Sequence, residues 1–408
     1  MDDNRLQVIQ TKQFHDRVGA EALLLDFVRE TFPDLDVTAV ELRPLAVSLN
    51  SFNGLLTRAD GTKLFFKTHV EPGSVVREYY NSKLLAEAGY PIIEPKYAST
   101  DYGKQFLIYD VIDSPSVFDV ARAIDRGTPL PGADLEALTA AQQKADDALL
   151  DIYLRSLQWQ SADDAAKAPV HQLFYHRLGE RYQQFYEGKP FVLPGGIALA
   201  WEDLCSRRLS INGVPYREIL GDAILRARDL LEPAREGWSV VGHGDAHNGN
   251  LFFSSDRLVY FDPAFAGHHH PLLDLAKPLF HNSFATWMYH PDEIGQTLEI
   301  ELHHRESDRL YINHNYTLSP CREMFLNSKR SRLYEPFLRE VRGRDGWTPD
   351  SNRMLRAALM CCPLFTMNLA DRERFSPEVA LLGLCFVFEM GVLNFYSESP
   401  IEEFVREP

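Results

Sequence analysis

The sequence is poor in cysteine and has no cysteine pair in a metal-binding spacing. Five cysteines occur in 408 residues, and none of them forms a C-x-x-C motif. Cys361 and Cys362 are adjacent and cannot easily bridge to each other. We therefore expect buried free thiols in a reducing compartment, and no thiolate metal centre.

Long apolar runs are also absent. No uninterrupted run approaches the roughly 18 residues of a membrane-spanning helix. The first residues, MDDNRLQVIQTKQFHDR, contain no apolar signal core. We expect a cytoplasmic protein with no membrane partner.

Basic residues are scarce relative to acidic ones. The chain has 42 Lys and Arg against 58 Asp and Glu, which gives a formal net charge of −16. Nucleic acids are bound by clustered Lys and Arg, so this balance argues against a nucleic-acid partner. The acidity would favour a cationic ligand, although a solvated acidic surface explains it equally well.

The length predicts a protein of two parts, because 408 residues exceed the roughly 250–300 at which a single core stops growing. A helical pattern over residues 16–31 is followed by strand patterns over residues 37–70 and 95–112, with a helix at residues 75–86 between them. Helical spacing dominates after residue 113. We predict an α+β fold with a small antiparallel-sheet lobe (residues 1–112) and a larger, mostly helical lobe (residues 113–408).

Residues 240–267, VVGHGDAHNGNLFFSSDRLVYFDPAFAG, contain the densest set of candidate catalytic groups. Asp245 precedes Asn250 by five residues, and Asp262 follows twelve residues after Asn250. Residues 251–253 and 258–261 read as two short strands joined by turn-forming residues. Pairing of these strands is expected to bring Asn250 and Asp262 out side by side at one end of a hairpin.

An amide oxygen and a carboxylate are hard ligands of the kind that Mg²⁺ takes together with phosphate oxygens. Asp245, on the loop that enters the hairpin, is suited to accept a proton from a hydroxyl group. The alternative is an ordinary hairpin capped by a chance His-x-Asp loop. The spacing to Asp262 favours the catalytic interpretation, because it follows the order of the catalytic loop and metal-binding Asp of kinases.

The segments HGDAHNGNLFF and VYFDPAFAG resemble the H-G-D-x-H-x-x-N and distal Asp motifs of the aminoglycoside phosphotransferase and choline kinase superfamily. These proteins are small-molecule kinases with the protein-kinase-like fold. The resemblance is close over residues 240–274 and looser elsewhere. Asn248 stands where the family often has Pro, and Pro263-Ala264 replace the Phe-Gly of protein kinases.

The resemblance implies ATP and Mg²⁺ as cofactors and a small-molecule hydroxyl as acceptor, on an aminoglycoside, an amino alcohol or a sugar-like compound. It implies Asn250 and Asp262 as metal ligands, Asp245 as the catalytic residue and Asp274 as a brace for the catalytic loop. His243 is better assigned to packing or hydrogen bonding within that loop than to acid–base work.

Lys67 is the residue whose role depends most on the resemblance. Strand periodicity alone would make it an exposed lysine, since it shares a face with Lys63 and Phe65. The resemblance implies instead that Lys67 binds the nucleotide phosphates and is held by Glu78 of the following helix. Glu71 and Glu87 are the competing partners.

Other nucleotide contacts are predicted less directly. The stretch SLNSFNG, with Ser51 and Asn53, lies where a kinase folds a loop over the phosphates, but Gly54 is its one glycine and a plain hairpin turn would look the same. Asp110 lies in a segment where a hinge between lobes would bind adenine through its backbone.

The acceptor pocket has the weakest signal. Trp287 and Tyr289, in the segment HNSFATWMYHP, are candidates for a wall that stacks on a sugar or faces an amine, although aromatic stripes are more often core. Three consecutive histidines at 268–270 do not form a metal face, and we expect them to face solvent or substrate.

Two further functions remain open from the sequence. One is a catalytically inactive binding or regulatory module, which would have no need to keep Lys67, Asp245, Asn250 and Asp262 together. The other is a protein kinase, disfavoured because no long activation loop or A-P-E-like segment follows Asp262. The identity of the acceptor, the choice of ATP over GTP and the oligomeric state are not determined by these patterns.

Overall fold

The computed structural model separates the chain into two compact units. The first is Met1–Ser114 with Val259–Ala264, and the second is Pro115–Leu258 with Phe265–Pro408. The sequence predicted a boundary after residue 112 but not the return of Val259–Ala264 to the first unit. The structure describes residues 5–43, 51–69, 72–101, 103–303, 308–348, 350–392 and 399–405, with the backbone alone at residues 51, 69 and 72–78.

The first unit is built on one antiparallel sheet, as predicted. The order of its strands is β1-β2-β3-β5-β4, and every neighbouring pair is antiparallel. The helices are α1 (Arg5–Lys12), α2 (Arg17–Thr31) and α3 (Pro72–Ala88), and the strands are β1 (Val37–Leu42), β2 (Ser51–Arg58), β3 (Lys63–His69), β4 (Tyr97–Ser99) and β5 (Phe106–Asp110).

Alternation along the strands gives the two faces of this sheet different roles. One face carries Phe66 and Phe106, whose rings stack at 5.1 Å within a core that includes Phe27 of α2. The opposite face carries Phe65 and Tyr109, which pack with other side chains of a second, smaller cluster. Because Lys67 is two residues from Phe65, its side chain belongs to this second face.

The segment Val259–Ala264 is held on the second face by backbone and aromatic contacts. The N–H of Tyr260 donates to the carbonyl of Pro91 at 2.8 Å, and the N–H of Ile93 donates to the carbonyl of Tyr260 at 2.9 Å. The ring of Phe261 lies 6.2 Å from that of Phe65 and 5.3 Å from that of Tyr109. These contacts bring the residue after Phe261 to the face that carries Lys67.

The second unit is mostly helical, as predicted. Its helices are α4 (Val117–Asp125), α5 (Leu135–Ser156), α6 (Ala162–Ala165), α7 (Tyr175–Phe185), α8 (Trp201–Cys205), α9 (Leu220–Leu230), α10 (Pro271–Ser283), α11 (Thr286–Tyr289), α12 (Pro291–Thr297), α13 (Pro320–Ser328), α14 (Glu335–Val341), α15 (Asp350–Phe365), α16 (Pro377–Gly391) and α17 (Pro400–Val405). A π-helical stretch, Lys329–Tyr334, joins α13 to α14.

Short strands lie between these helices, and several were not predicted. They are β6 (Gln158–Gln160), β7 (Pro190–Leu193), β8 (Ile197–Ala200), β9 (Arg208–Ile211), β10 (Val214–Pro215), β11 (Gly237–Gly242), β12 (Leu251–Ser254), β13 (Arg257–Tyr260), β14 (Gly267–His269), β15 (Ile300–His303) and β16 (Arg309–His314). The sheets are β10-β9-β16-β15, β14-β11-β6, β12-β13 and β7-β8. The parallel pair β9 and β16 joins segments far apart in sequence, so local patterns give no signal for it.

Helix α10 is buried along all 13 of its residues. A helix in that position is expected to be apolar all round, yet α10 carries Asp274, Lys277 and His281 in its buried surface. Buried ionisable groups are costly unless they are paired or functional. The partners of these buried groups are therefore expected in the loop that packs against α10.

All five cysteines are buried and free, which confirms the prediction of buried thiols. Among the residues that the structure describes, no helix combines the length and apolarity needed to cross a bilayer.

The close approach of β1 to β2 makes Gly54 a stability test. A Cβ at Gly54 would overlap the carbonyl oxygen of Glu41, a backbone atom that cannot move aside. We expect Gly54→Ala to lower the free energy of unfolding by roughly 1–3 kcal/mol, as overpacking does. Chemical denaturation followed by circular dichroism measures the free energy of unfolding of the variant and of the wild type.

Gly179→Ala is the matched control, because this glycine lies inside α7 and the methyl group of an alanine there would meet no atom within 4 Å. We expect Gly179→Ala to raise stability by roughly 0.5–1 kcal/mol. Equal stability of the Gly54→Ala variant and the wild type would contradict the tight packing of β1 on β2.

Candidate active site

The predicted catalytic loop leaves β11 at Gly242 and enters β12 at Leu251. Its backbone starts at a paired strand end, because Gly242 of β11 pairs with Gly267 of β14. It ends in a short 3-10 turn, Asn248–Asn250. The loop is thus anchored at both ends by regular structure.

Gly244 allows the loop to turn close to the segment that follows the hairpin. Its φ is +81°, and a Cβ at this position would overlap the carbonyl oxygen of Phe265. Its N–H donates to the carboxylate Oδ1 of Asp274 at 2.5 Å. Glycine is required here for both the left-handed backbone and the close approach.

Asp274 is the brace of the loop, as the family resemblance implied. Besides the N–H of Gly244, its carboxylate accepts hydrogen bonds from Tyr153 Oη and from His269 Nε2, the latter at 3.0 Å. Burial acts to raise the pKa of Asp274, but the hydrogen bonds and charge of His269, with the bonds from Tyr153 and Gly244, hold that pKa below its ordinary value. Asp274 is therefore a buried carboxylate fixed in its charged form.

Asp245 presents its carboxylate from this braced loop. The side chain is 16% exposed, and its Oδ1 lies 3.7 Å from Nζ of Lys277. Within the described part of the chain, Oδ1 is buried without a hydrogen-bond partner. The other oxygen, Oδ2, lies 3.9 Å from Nε2 of His247. A carboxylate oxygen that accepts no hydrogen bond from the described residues is available to a ligand.

His243 and Asn248 serve the shape of the loop. His243 is fully buried, and its Nδ1 accepts from the N–H of Asp245 at 3.4 Å, in line with the structural role predicted for it. The N–H of Asn248 donates to Oδ1 of Asn282 at 2.8 Å. Proline has no N–H, so a proline at position 248 could not make this bond.

Asn250 is oriented by the loop itself. Its Nδ2 donates to the carbonyl of Asp245 at 2.9 Å, and its N–H donates to the carbonyl of His247 at 2.8 Å. Since a carbonyl can only accept, the atom facing it must be the amide nitrogen. The amide oxygen of Asn250 consequently points away from Asp245 and is available to a cation.

In the first unit, Lys67 contacts Asp262. Lys67 Nζ lies 2.7 Å from Asp262 Oδ1, and the two side chains are 12% and 33% exposed. Asp262 has a left-handed backbone with φ of +57°. The expectation from periodicity alone, an exposed edge lysine, is wrong because β3 is an inner strand and its second face is covered by Phe261.

The other predicted nucleotide residues have the following positions. Ser51 and Asn53 lie in β2 and not in a loop, and Asn53 is the register partner of Lys67. Asp110 ends β5, and its exposed carboxylate pairs with Lys96 at 2.8 Å. The side chains of Ser51 and Glu78 are outside the described residues, so the predicted pairing of Glu78 with Lys67 remains a prediction.

The prediction of an acceptor wall at Trp287 is wrong. Trp287 is fully buried, and its ring stacks on Phe386 at 5.9 Å in the core of the second unit. Tyr289 is only half-buried, and its hydroxyl lies 2.8 Å from Nδ1 of His281. Its ring packs on Phe118 at 5.1 Å. Tyr289 therefore belongs to the polar group around α10, whereas Trp287 does not.

The histidines at 268–270 are largely structural, contrary to the expectation that they face solvent or substrate. His269 is 1% exposed and bonds to Asp274. His270 caps α10 by accepting from the N–H of Leu272 at 3.2 Å, and its ring stacks on Trp347 at 5.4 Å. Burial lowers the pKa of His270 to about 3, so it is neutral.

Sequence reasoning missed Lys277, the cation beside Asp245. Burial lowers the pKa of Lys277, and the charge of Asp245 opposes that shift. Its signal in the sequence was a lysine within PLLDLAKPLF, a stretch otherwise almost wholly apolar. A basic residue in such a helix is a candidate for a functional site.

No model of a known protein family matches the chain, and no curated protein sequence matches it. Its structure is similar to those of several small-molecule kinases. With a Plasmodium vivax ethanolamine kinase the identity is 12% over 93% of this chain and 86% of that one, with a TM-score of 0.45. With an aminoglycoside phosphotransferase the identity is 13% over 90% and 97%, with a TM-score of 0.46.

A third structure is that of an amicoumacin kinase in complex with AMP-PNP and Ca²⁺. It is 13% identical over 92% of this chain and 96% of that one, with a TM-score of 0.43.

The bracing role of Asp274 predicts a pH-dependent loss of stability in Asp274→Asn. The variant keeps the shape of the side chain but loses its charge, and we expect a loss of about 1.5–3 kcal/mol, as for hydrogen bonds to charged groups. Because the pKa of Asp274 is held below 3.8, its contribution is complete above that pH and is lost as the pH falls through the lower folded-state value.

Denaturant unfolding of the wild type and of Asp274→Asn across the acidic pH range measures the difference in their free energies of unfolding. Asp151→Asn, at an exposed position of α5 paired with Arg155, is the control for removal of one surface carboxylate. An Asp274→Asn variant as stable as the control at neutral pH would show that Asp274 does not brace the loop.

Proposed function

We propose that this protein is a phosphotransferase that moves the γ-phosphoryl group of ATP to a hydroxyl group of a small molecule, with Mg²⁺. The observation that carries the proposal is the contact between Lys67 and Asp262 in the first unit. The sequence assigned these residues separately, one to the nucleotide phosphates and one to the metal. They are 195 residues apart in the chain, and their charged atoms lie 2.7 Å apart.

Lys67 binds oxygens of the nucleotide phosphates in this proposal, and Glu78 holds its ammonium group. The backbone of β2 at Ser51 and Asn53 lies along the same nucleotide, and the backbone near Asp110 contacts the base. The register opposite Lys67 supports the role of Asn53. An ammonium group that is already paired with a carboxylate needs little reorganisation to exchange that partner for phosphate oxygens.

Asn250 and Asp262 hold Mg²⁺. The amide oxygen of Asn250 and the carboxylate of Asp262 are hard oxygen donors, and Mg²⁺ is usually bound by one or two carboxylates together with phosphate oxygens and water. The donor chemistry therefore fits this ion. When bound, Mg²⁺ neutralises negative charge on the phosphates and orients them.

Asp245 orients the acceptor and takes its proton. As the hydroxyl oxygen bonds to the γ-phosphorus, the bond from that phosphorus to the bridging oxygen breaks, ADP leaves, and the hydroxyl proton moves to the Asp245 carboxylate. The absence of hydrogen bonds to Oδ1 within the described residues supports this role. The brace at Asp274 keeps the carboxylate in position, and positioning supplies much of the rate in such reactions.

The variant Asp245→Asn tests the catalytic role. Asn is nearly isosteric but cannot take the proton, so we expect kcat to fall by about 10² to 10⁴. Nucleotide affinity should stay within a few-fold, because Lys67, Asn250 and Asp262 are unchanged. Single-turnover transfer from γ-labelled ATP and a nucleotide titration measure the two quantities.

Asp256→Asn is the matched control, since Asp256 lies on the nearby hairpin turn and pairs with the exposed Lys144 at 2.8 Å. Loss of nucleotide binding with unchanged chemistry would mean that Asp245 is a metal-binding or structural residue.

The variant Asp262→Asn tests the metal role. Asn tolerates the left-handed backbone at this position better than Ala does, so the substitution removes the charge with little strain. We expect Mg²⁺-dependent nucleotide affinity to weaken by more than about tenfold, and transfer to be lost, because a metal ligand and a partner of Lys67 are removed together. Calorimetric titration with and without Mg²⁺ measures the affinity. Near-native turnover of the Asp262→Asn variant would show that Asp262 is not a metal ligand.

The same labelled-ATP assay separates the other two functions. A binding module without turnover would bind nucleotide and transfer no label to any small molecule. A protein kinase would place the label on added proteins and not on small hydroxyl compounds.

A further inference from the structure

The charge around Asp245 is positive on balance. Lys277 is buried, with 5% of its side chain exposed, and within the described residues Asp245 is its one ion-pair partner. The 3.7 Å between Lys277 Nζ and Asp245 Oδ1 is too long for a hydrogen bond. The two groups are thus close enough for electrostatic attraction. The contact uses no N–H donor of Lys277 and does not supply a hydrogen bond to Oδ1 of Asp245.

Two arginines of α7 add to this positive charge. Arg177 and Arg181 are one helical turn apart, and the positive charges of both lower the pKa of Lys277. Arg181 is held in place, since its Nη1 donates to the carbonyls of Phe365 at 2.5 Å and Thr366 at 3.2 Å. Arg177 is half-buried and makes no hydrogen bond or ion pair with any side chain that the structure describes. Burial lowers the pKa of Arg177, and the negative charge of Asp245 opposes that shift.

The side chains that Lys277 reaches through hydrogen bonds, His281 and Tyr289, carry no negative charge. The ammonium group of Lys277 can only donate, so His281 Nε2, 2.9 Å away, is the acceptor. His281 Nδ1 then carries the proton and donates to the hydroxyl of Tyr289 at 2.8 Å. Burial holds the pKa of His281 well below its ordinary value and raises the pKa of Tyr289, so both are neutral.

Lys277 and Arg177 therefore share one carboxylate, Asp245, whereas Arg181 is next to Glu180. Buried cations without full partners are costly, and a bound anion would offset that cost. In the proposed reaction the acceptor hydroxyl contacts Asp245, which places the rest of the acceptor near Lys277. The net charge of the whole chain, −16, gives the opposite expectation of a cationic ligand, but the field at a partly desolvated site is set by its near neighbours.

We infer that the acceptor is an anionic hydroxyl compound, with a carboxylate or phosphate group close to the accepting hydroxyl, and that Lys277 and Arg177 bind this anionic group. The inference rests on the proposed function and narrows its substrate class. An aminoglycoside or amino alcohol would bring an ammonium group to a site that already holds an excess of cations.

The test uses the full-length protein with ATP, Mg²⁺ and two matched sets of acceptors. One set is glucuronate, glucose and glucosamine, and the other is glycerate, glycerol and 3-amino-1,2-propanediol. Members of a set share a carbon skeleton and differ in charge, because the anionic member has a carboxylate in place of one CH2OH group of the neutral member and the amino member has an amino group in place of one hydroxyl. We expect kcat/KM for the anionic member to exceed that for the neutral and amino members by more than about tenfold. A preference for a neutral or amino member overturns the inference and leaves the proposed function standing.

Lys277→Met and Arg177→Met identify the residues responsible, with circular dichroism to check folding. We expect each variant to raise KM for the anionic member by about tenfold or more while KM for the neutral member changes less than a few-fold. Lys144→Met, which removes an exposed lysine of α5, is the control for loss of one positive charge. An equal loss of kcat with all three members would mean that Lys277 acts on the transferred phosphoryl group, which overturns the inference.

Thermal unfolding without nucleotide separates failure of the inference from failure of the proposed function. Millimolar glucuronate or glycerate should raise the Tm of the wild type and of Lys144→Met, and not that of Arg177→Met. If no acceptor is phosphorylated but this pattern is seen, the proposed function fails and the anion site stands. If neither anion raises the Tm of the wild type, the inference is wrong.

Discussion

The candidate active site depends on one buried hydrogen bond, from the N–H of Gly244 to the carboxylate of Asp274. A charged carboxylate inside a protein is stable only when donors surround it, and here the donors come from the loop, from β14 and from α5. Each donor is thereby held at a set position relative to α10. This arrangement positions the next residue, Asp245, whose Oδ1 accepts no hydrogen bond from the part of the chain that the structure describes and can therefore serve a ligand.

The proposed chemistry divides between the two units of the chain. Lys67 and Asp262, assigned to the nucleotide and its metal, belong to the first unit, because Val259–Ala264 joins the small sheet. Asp245, Lys277 and Arg177, assigned to the acceptor, belong to the second. In the first unit Lys67 pairs with Asp262, whereas in the second unit both Lys277 and Arg177 interact with the charge of Asp245.

Much of the fold and of the candidate site could be predicted where the residues that form them are close together in sequence. Asp245, Asn250 and Asp262 follow one another within a short stretch, and the strands and helices around them have clear periodicities. Lys277 could not be assigned in this way, because its partners are brought to it by α7 and by the loop before α10. Trp287 was misassigned because an aromatic residue in a core and one in a pocket leave the same pattern. The pairing of β9 with β16 needs contacts that no local pattern encodes.

Phosphorus-31 NMR of the full-length protein with Mg²⁺, ATP and a mixture of small hydroxyl compounds distinguishes phosphoryl transfer from hydrolysis and from binding alone. We expect a phosphomonoester resonance to grow at the rate at which ATP becomes ADP, because the γ-phosphoryl group passes to a hydroxyl and not to water. Growth of inorganic phosphate alone, or ATP that stays unchanged despite binding to the protein, would contradict the proposed phosphoryl transfer.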